Sequence, residues 1–189
     1  MIDLKLETET IITHLKRGGI ILYPTDTVWG LGCDAVNSEA IDKLNKIKRR
    51  GADKSLLCLV SDFKMLQQYV EDVPEVAYDI LKYAKKPTTI IYDNPIRVAE
   101  NIISSDNSLG IRVVRDPFVG KLIRKFKKPL VSTSANFSGQ PAPKSFEDID
   151  PELIKLVDYV CKLPLNSKHK KPSAIIKIGS NATVKVIRQ

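Results

Sequence analysis

Short apolar runs at residues 20 to 23, 56 to 60, 88 to 92, 109 to 114, 129 to 132, 174 to 178 and 184 to 187 alternate with stretches whose apolar residues recur at helical spacing. Runs of that length between such stretches predict strands separated by helices, and therefore an α/β domain with helices flanking a sheet. Asn37-Ser38 can cap a helix whose Ile41, Leu44 and Ile47 form one stripe and which continues to Gly51, a residue suited to stop it. Asp62 to Val70 and Pro74 to Ala84 read as two more, with Pro74 suiting a first turn. Phe118, Leu122, Ile123 and Phe126 form the face of another helix, and Leu153, Leu156, Val157 and Val160 mark a last one. Gly179-Ser180-Asn181-Ala182 between the final two strands reads as a hairpin turn, which makes the predicted sheet mixed.

A chain of 189 residues is expected to form one domain, 1–189, with a core that needs neither disulfide nor metal. The hydrophobic share of 43% and charged share of 28% fit a soluble globular protein. No apolar run approaches the ~18 residues of a membrane span. Met1 to Glu7 holds no signal-peptide core, so a cytoplasmic protein without membrane contact is expected. Cys33, Cys58 and Cys161 are odd in number, far apart and without a C-x-x-C pair; they predict buried thiols rather than a disulfide framework or a zinc site.

Two of the predicted strands end in polar residues. Behind Pro129 to Val131 comes Ser132-Thr133-Ser134-Ala135-Asn136-Phe137-Ser138-Gly139, in which hydroxyls and backbone N–H groups can converge on a phosphate or carboxylate. Gly139 would allow a tight turn there. Behind Ile20 to Leu22 comes Tyr23-Pro24-Thr25-Asp26-Thr27-Val28-Trp29-Gly30-Leu31-Gly32, again polar and small. Either could be a plain polar turn; together they suggest one shared site.

The formal net charge of +8 favours anionic partners, nucleotide or RNA alike. Residues 46 to 54 hold Lys46, Lys48, Arg49, Arg50 and Lys54, five cations in nine positions. A helix dipole accounts for one or two of these but not for Lys54 beyond Gly51, whereas a triphosphate would use the whole set. The clusters at 85–86, 124–128 and 168–171 read mainly as solvated faces. Arg112, inside the apolar run Leu109 to Val114, needs an anion, either a structural acid or a bound carboxylate. Arg188 near the end is ambiguous by itself.

Several chemistries find no support. No G-x-x-x-x-G-K-S/T is present, and Gly30-x-Gly32 lacks the third glycine of a dinucleotide fingerprint. His14 and His169, the only histidines, have no nucleophile near them in sequence. Asp26 is the single acid in the two polar strand ends and makes no metal cage, although Mg²⁺ carried by nucleotide phosphates would need no more.

Taken together, Tyr23 to Gly32, Lys48-Arg49-Arg50, Leu109-Gly110-Ile111-Arg112, Ser132 to Gly139 and Pro172-Ser173-Ala174-Ile175-Ile176 resemble the YrdC/TsaC family, the threonylcarbamoyl-AMP synthases, over residues ~10 to 188. The resemblance implies a twisted open mixed sheet with flanking helices and a large concave cavity. It implies an enzyme that makes threonylcarbamoyl-AMP and pyrophosphate from L-threonine, bicarbonate and ATP, with Mg²⁺ held mainly by the ATP phosphates. Other proteins of the tRNA-modification pathway would receive the product, and tRNA or double-stranded RNA contact would be possible. Carried over by position, Thr25, Arg112, Ser132 and Ser173 would surround threonine, with Arg112 on its carboxylate. Lys48, Arg50, Lys54, Ser108, Ser134, Asn136 and Arg188 would surround ATP, and Lys48 and Arg50 would be catalytic. The chain departs from the family pattern at Gly51, Lys54-Ser55 and Leu59. Competing expectations are a non-enzymatic RNA binder, whose basic clusters carry only Phe126 for stacking, and a carbamoyl-AMP-forming domain like that of hydrogenase-maturation carbamoyltransferases, whose zinc-binding and acylphosphatase segments have no room here.

Overall fold

The computed structural model describes residues 3–49, 56–163, 172–179 and 183–189. Its elements are α1 (Leu4–Lys16), β1 (Ile21–Tyr23), β2 (Gly30–Asp34), α2 (Ser38–Ile47), β3 (Leu57–Val60), α3 (Phe63–Leu66), α4 (Glu75–Tyr83), β4 (Thr88–Asp93), β5 (Ser108–Val113), α5 (Pro117–Phe126), β6 (Leu130–Ser134), α6 (Pro151–Leu156), β7 (Tyr159–Val160), β8 (Ala174–Ile178) and β9 (Val184–Arg188). Among the described residues the strands form one nine-stranded sheet in the order β7-β1-β2-β6-β3-β5-β4-β8-β9. The sheet is mixed: β3/β5, β1/β7 and β4/β8 are parallel, and the remaining neighbours are antiparallel. No described helix is long and apolar enough to cross a membrane.

Helices α1, α2, α3 and α5 pack on the sheet and bury its centre, bringing Ile11, Leu15, Ile41, Leu44, Leu122 and Ile123 against Ile21, Leu31, Cys58 and Val131. Strands covered in this way read as continuous apolar runs rather than alternating ones. Two acids, the buried Glu7 and the more exposed Asp158, fasten the β7 edge. Glu7 accepts hydrogen bonds from the Tyr159 hydroxyl at 2.8 Å and the Lys162 amide at 2.7 Å, while Asp158 accepts from the Ile20 amide at 2.6 Å and pairs with Lys43.

The register fixes which side chains meet. Ser132 lies between Gly32 and Leu57, Leu57 pairs with Gly110, Gly110 with Ile91, and Ile91 with Lys177. Because side chains alternate along a strand, Ser132 and Ser134, Ser108, Gly110 and Arg112, and Ile175 and Lys177 share the face on which that row lies.

Several boundaries differ from those the pattern predicts. Helix α2 starts as expected, with Asn37 accepting the Ala40 amide, but its last helical residue is Ile47, and Gly51 lies outside the described residues. The predicted helix from Asp62 to Val70 shortens to α3, and Val70 instead bridges to Pro95. Pro74 caps α4 rather than entering its first turn. The stripe from Leu153 to Val160 is divided: α6 stops at Leu156, which is exposed, and Val160 joins β7. The β8/β9 pairing is antiparallel as the hairpin reading requires, though its residues 180–182 lie outside the described residues.

Two elements escape the pattern altogether. Helix α1 is masked by Thr8, Thr10 and Thr13, weak helix formers whose hydroxyls donate to carbonyls four residues back. Strand β2 is masked by its own glycines. Gly32 has no room for a larger residue, since a Cβ there would stand 2.8 Å from Tyr23 Cε1 and 3.1 Å from the Val131 carbonyl oxygen. Tyr23 is fully buried and cannot move aside. Gly32→Ala should therefore lower stability by ~1 to 3 kcal/mol, read as a lower urea midpoint at unchanged slope.

Candidate active site

Both polar strand ends open onto one cavity of about 290 Å³. It is lined from β1–β2 by Thr25, Thr27 and Gly30, from β6 by Ser132, Thr133 and Ser134, from β5 by Arg112, and from the C-terminal strands by Ser173, Ile175 and Arg188. A second cavity of about 410 Å³ holds Ser108, Asp106, Lys177 and Gly110 and shares Leu56, Leu57 and Ile175 with the first. The two spaces adjoin along the same face of the sheet.

Loop chemistry sets the polar groups. The Thr25 hydroxyl donates to the Val28 carbonyl at 2.7 Å, accepts the Thr27 amide at 3.0 Å and lies 2.9 Å from the Thr27 hydroxyl, a side-chain turn that folds the segment over the strand end. Tyr23 donates to Ser132 Oγ at 3.0 Å, and burial pushes the tyrosine pKa well up, so it remains a neutral donor. Ser173 Oγ lies 2.9 Å from Thr89 Oγ1. On the seryl side, Gly139 turns at φ +90°, as its position requires.

The charges are arranged unequally. Arg112 is only 3% exposed; its Nη2 lies 3.0 Å from Asp26 Oδ1 and its Nη1 donates to Thr27 Oγ1 at 3.3 Å. Its Nε is buried without a hydrogen-bond partner. Arg188 Nε donates to the Ser173 carbonyl at 2.9 Å, and burial together with the neighbouring Arg112 pushes its pKa down. Two guanidinium groups thus meet in one space beside a single carboxylate. The structural acid foreseen for Arg112 is Asp26, and a ligand-seeking donor remains beside it.

The end of α2 is tied to the seryl loop. Lys48 is 2% exposed, and its ammonium donates to the Ser134 carbonyl at 2.6 Å and to the Asn136 carbonyl. Ser138 N donates to the Lys48 carbonyl, and Arg49 stacks at 4.2 Å over the Phe137 ring. The Asn136 amide group donates to the Phe137 and Gln140 carbonyls. Cation segment and seryl strand end therefore adjoin, but Lys48 and Asn136 stand behind the cavity wall rather than in it.

Of the residues singled out from sequence, the structure gathers Thr25, Arg112, Ser132, Ser173, Ser134 and Arg188 into one cavity and places Ser108 in the next. Arg50 and Lys54 lie outside the described residues. Sequence reasoning passed over Tyr23, Thr27, Thr89, Lys177 and Asp106; hydrogen bonds from Lys177 and from the foreseen Ser108 hold the Asp106 carboxyl below its ordinary value. The signal for Thr27 was present in Thr-x-Thr spacing at the strand end. Thr89 becomes visible only once β4 is paired with β8.

The Sua5/YciO/YrdC family model, whose description reads telomere recombination, matches residues 13–189. The chain belongs to that family. It is 36% identical over 146 residues to a threonylcarbamoyl-AMP synthase of Xylella fastidiosa (strain 9a5c), covering 76% of this chain and 78% of that one. Among solved structures, E. coli YciO matches with a TM-score of 0.85 at 23% identity, over 100% of this chain and 91% of that one. P. abyssi Sua5 complexed with L-threonine matches with a TM-score of 0.86 at 22% identity. This chain aligns in full and spans 55% of the Sua5 chain. The fold of the family, a large mixed sheet with flanking helices, is the one described above.

Removing the ammonium that clamps the seryl loop tests its structural weight. Lys48→Ala should cost ~1.5 to 3 kcal/mol of stability, the range for hydrogen bonds to a charged group. Amide exchange at Ala135 to Ser138 should accelerate by ~10-fold or more while that of the β5 amides changes little.

Proposed function

We propose that this protein is a threonylcarbamoyl-AMP synthase that joins L-threonine, bicarbonate and ATP and releases pyrophosphate. The carrying observation is the pair Arg112 and Arg188 in one hydroxyl-lined cavity, with a buried Arg112 Nε that has no partner. Such a site suits two anionic groups, an amino-acid carboxylate and a phosphate. The name of the Xylella relative and the L-threonine in the Sua5 structure point the same way.

In this reading Arg112 takes the threonine carboxylate, with the hydroxyls of Thr25, Ser132 and Ser173 around it. Arg188 and Ser134 face the phosphates, and the adjoining space at Ser108 accommodates the rest of ATP. Arg50 and Lys54 complete the phosphate set, and Lys48 and Asn136 hold the seryl loop that presents Ser134. Mg²⁺ arrives with ATP as substrate; among the described residues no group of three His, Cys, Asp or Glu could hold a metal of its own. The product is labile and passes to threonylcarbamoyl-transfer proteins that modify a tRNA adenosine.

The chemistry requires no protein nucleophile. The threonine ammonium and bicarbonate give a carbamate, water and one proton. A carbamate oxygen then attacks the α-phosphorus, and the bond to the β-phosphate oxygen breaks to release pyrophosphate. Catalysis is alignment and charge neutralisation. The thiols are unsuited to a covalent route: burial pushes Cys161 up to about 12 and Cys33 and Cys58 well above their ordinary values.

The test is pyrophosphate release with ATP, bicarbonate and each amino acid in turn, followed by mass analysis of the adenylate. Release should require threonine and bicarbonate together; a protein that releases none under any combination is not this enzyme. Arg112→Ala should raise the threonine requirement by ~10-fold or more, equivalent to the loss of one charge-assisted contact, and change the ATP requirement by less than about 3-fold. Equal effects on both substrates would remove Arg112 from the carboxylate.

A further inference from the structure

We propose that Asp26 makes the cavity read a zwitterion rather than a bare carboxylate, an inference that rests on the threonine reading above. Among the described residues that line the 290 Å³ cavity there is no acid, and the charged ones are Arg112 and Arg188. Such a lining alone would prefer a ligand with net negative charge. An α-amino acid brings an ammonium as well, and a cation entering beside two guanidinium groups needs a negative charge within range.

Asp26 supplies it through its position against Arg112. Its side chain is 13% exposed, and its Oδ1 lies 3.0 Å from Arg112 Nη2. That oxygen is buried and has no hydrogen bond of acceptable geometry, so it is paired by charge while its capacity to accept a donor is unused. On the other side of the pair, Arg112 Nε is an unused donor. A buried ion pair with hydrogen-bonding capacity open at both ends is poorly served by folding alone, because desolvation is repaid only when the remaining sites are filled. A zwitterion matches both vacancies: its carboxylate suits the guanidinium, and its ammonium, two bonds from the carboxylate carbon, stays within the field of Asp26. The acid Asp106 cannot take this part, since it is committed to Lys177 and Ser108 in the adjoining cavity.

Asp26 is thus a positioning and specificity residue, acting partly through Arg112, and its effect is on which ligand is chosen. Calorimetric titration of the full chain with L-threonine and with (2S,3R)-2,3-dihydroxybutanoate, which carries a hydroxyl where threonine carries its ammonium, isolates that effect. The wild-type protein should bind threonine at least ~10-fold more tightly than the hydroxy acid, a factor within the range of one partly screened charge contact. Asp26→Asn, which keeps shape and removes charge, should reduce that ratio to about 3-fold or less while leaving the hydroxy acid within about 3-fold of its wild-type affinity.

An Asn variant that keeps the wild-type ratio overturns the proposal. So does a wild-type protein that binds both ligands equally, a result that needs no variant and decides the matter even if Asp26→Asn fails to fold. A wild-type protein that binds neither overturns the threonine reading itself.

Discussion

The burial of one guanidinium organises this molecule. Arg112 sits on β5 between strands β3 and β4, where the burial that stabilises its neighbours would penalise an unneutralised charge severely. The fold answers by bringing the Thr25–Thr27 turn across the strand ends, so that Asp26 and Thr27 reach the arginine from the far side of β6. The turn is held in shape by its own hydroxyls, and its placement depends on β2 pairing with β6. An anion requirement created at one residue is thereby met by a contact spanning several strands, and a cavity is left where that contact is incomplete.

The same face carries the rest of the site because strand alternation repeats along neighbouring strands. Ser132, Gly110 and Lys177 are not close in sequence, yet registration places them in one row, with small residues where the two cavities need depth. A Cβ on Gly110 would approach Thr89 Cγ2 to 3.3 Å and fill part of the second cavity. On the other face, side chains of α1, α2 and α5 pack into the apolar core. One face therefore carries most of the core packing, and the other carries the two adjoining cavities of the site.

How much of this was legible in the sequence follows from which interactions are local. The apolar runs announced most strands, and the stripe Ile41, Leu44 and Ile47 announced α2, because those signals depend on periodicity alone. The polar character of Ser132 to Ser134 and of Thr25 to Thr27 announced a site, because so many hydroxyls after a strand have no role in a core. What could not be read was long-range. The sequence shows Arg112 needing an anion but not that Asp26 supplies one, since the two meet only after β2, β6, β3 and β5 have aligned. It shows Lys48 among cations but not that its ammonium turns to the Ser134 and Asn136 carbonyls, which depends on where α2 ends relative to the seryl loop. Strand β2 was hidden because Gly30 and Gly32, which its position demands, are poor strand formers.

The net charge of +8 gains a different meaning once its members are located. Lys125 pairs with Glu9, Lys128 with Asp34, Lys43 with Asp158 and Lys177 with Asp106, while Arg115 donates to the Leu81 and Ala84 carbonyls at the end of α4. The cluster at 124–128, which looks in sequence like one basic patch, is divided among separate acids. A nucleic-acid groove built on counterion release needs many cations facing the solvent together, whereas the cavity has two, a buried Arg112 and a more exposed Arg188, each held by a hydrogen bond or ion pair. Such an arrangement discriminates among small anions by shape and by the balance of charge within them, and loses that ability when spread over a surface. The same number of positive charges can therefore serve a polyanion or a small ligand, and in this chain Arg112, 3% exposed and paired with Asp26, is turned inward rather than spread over a surface.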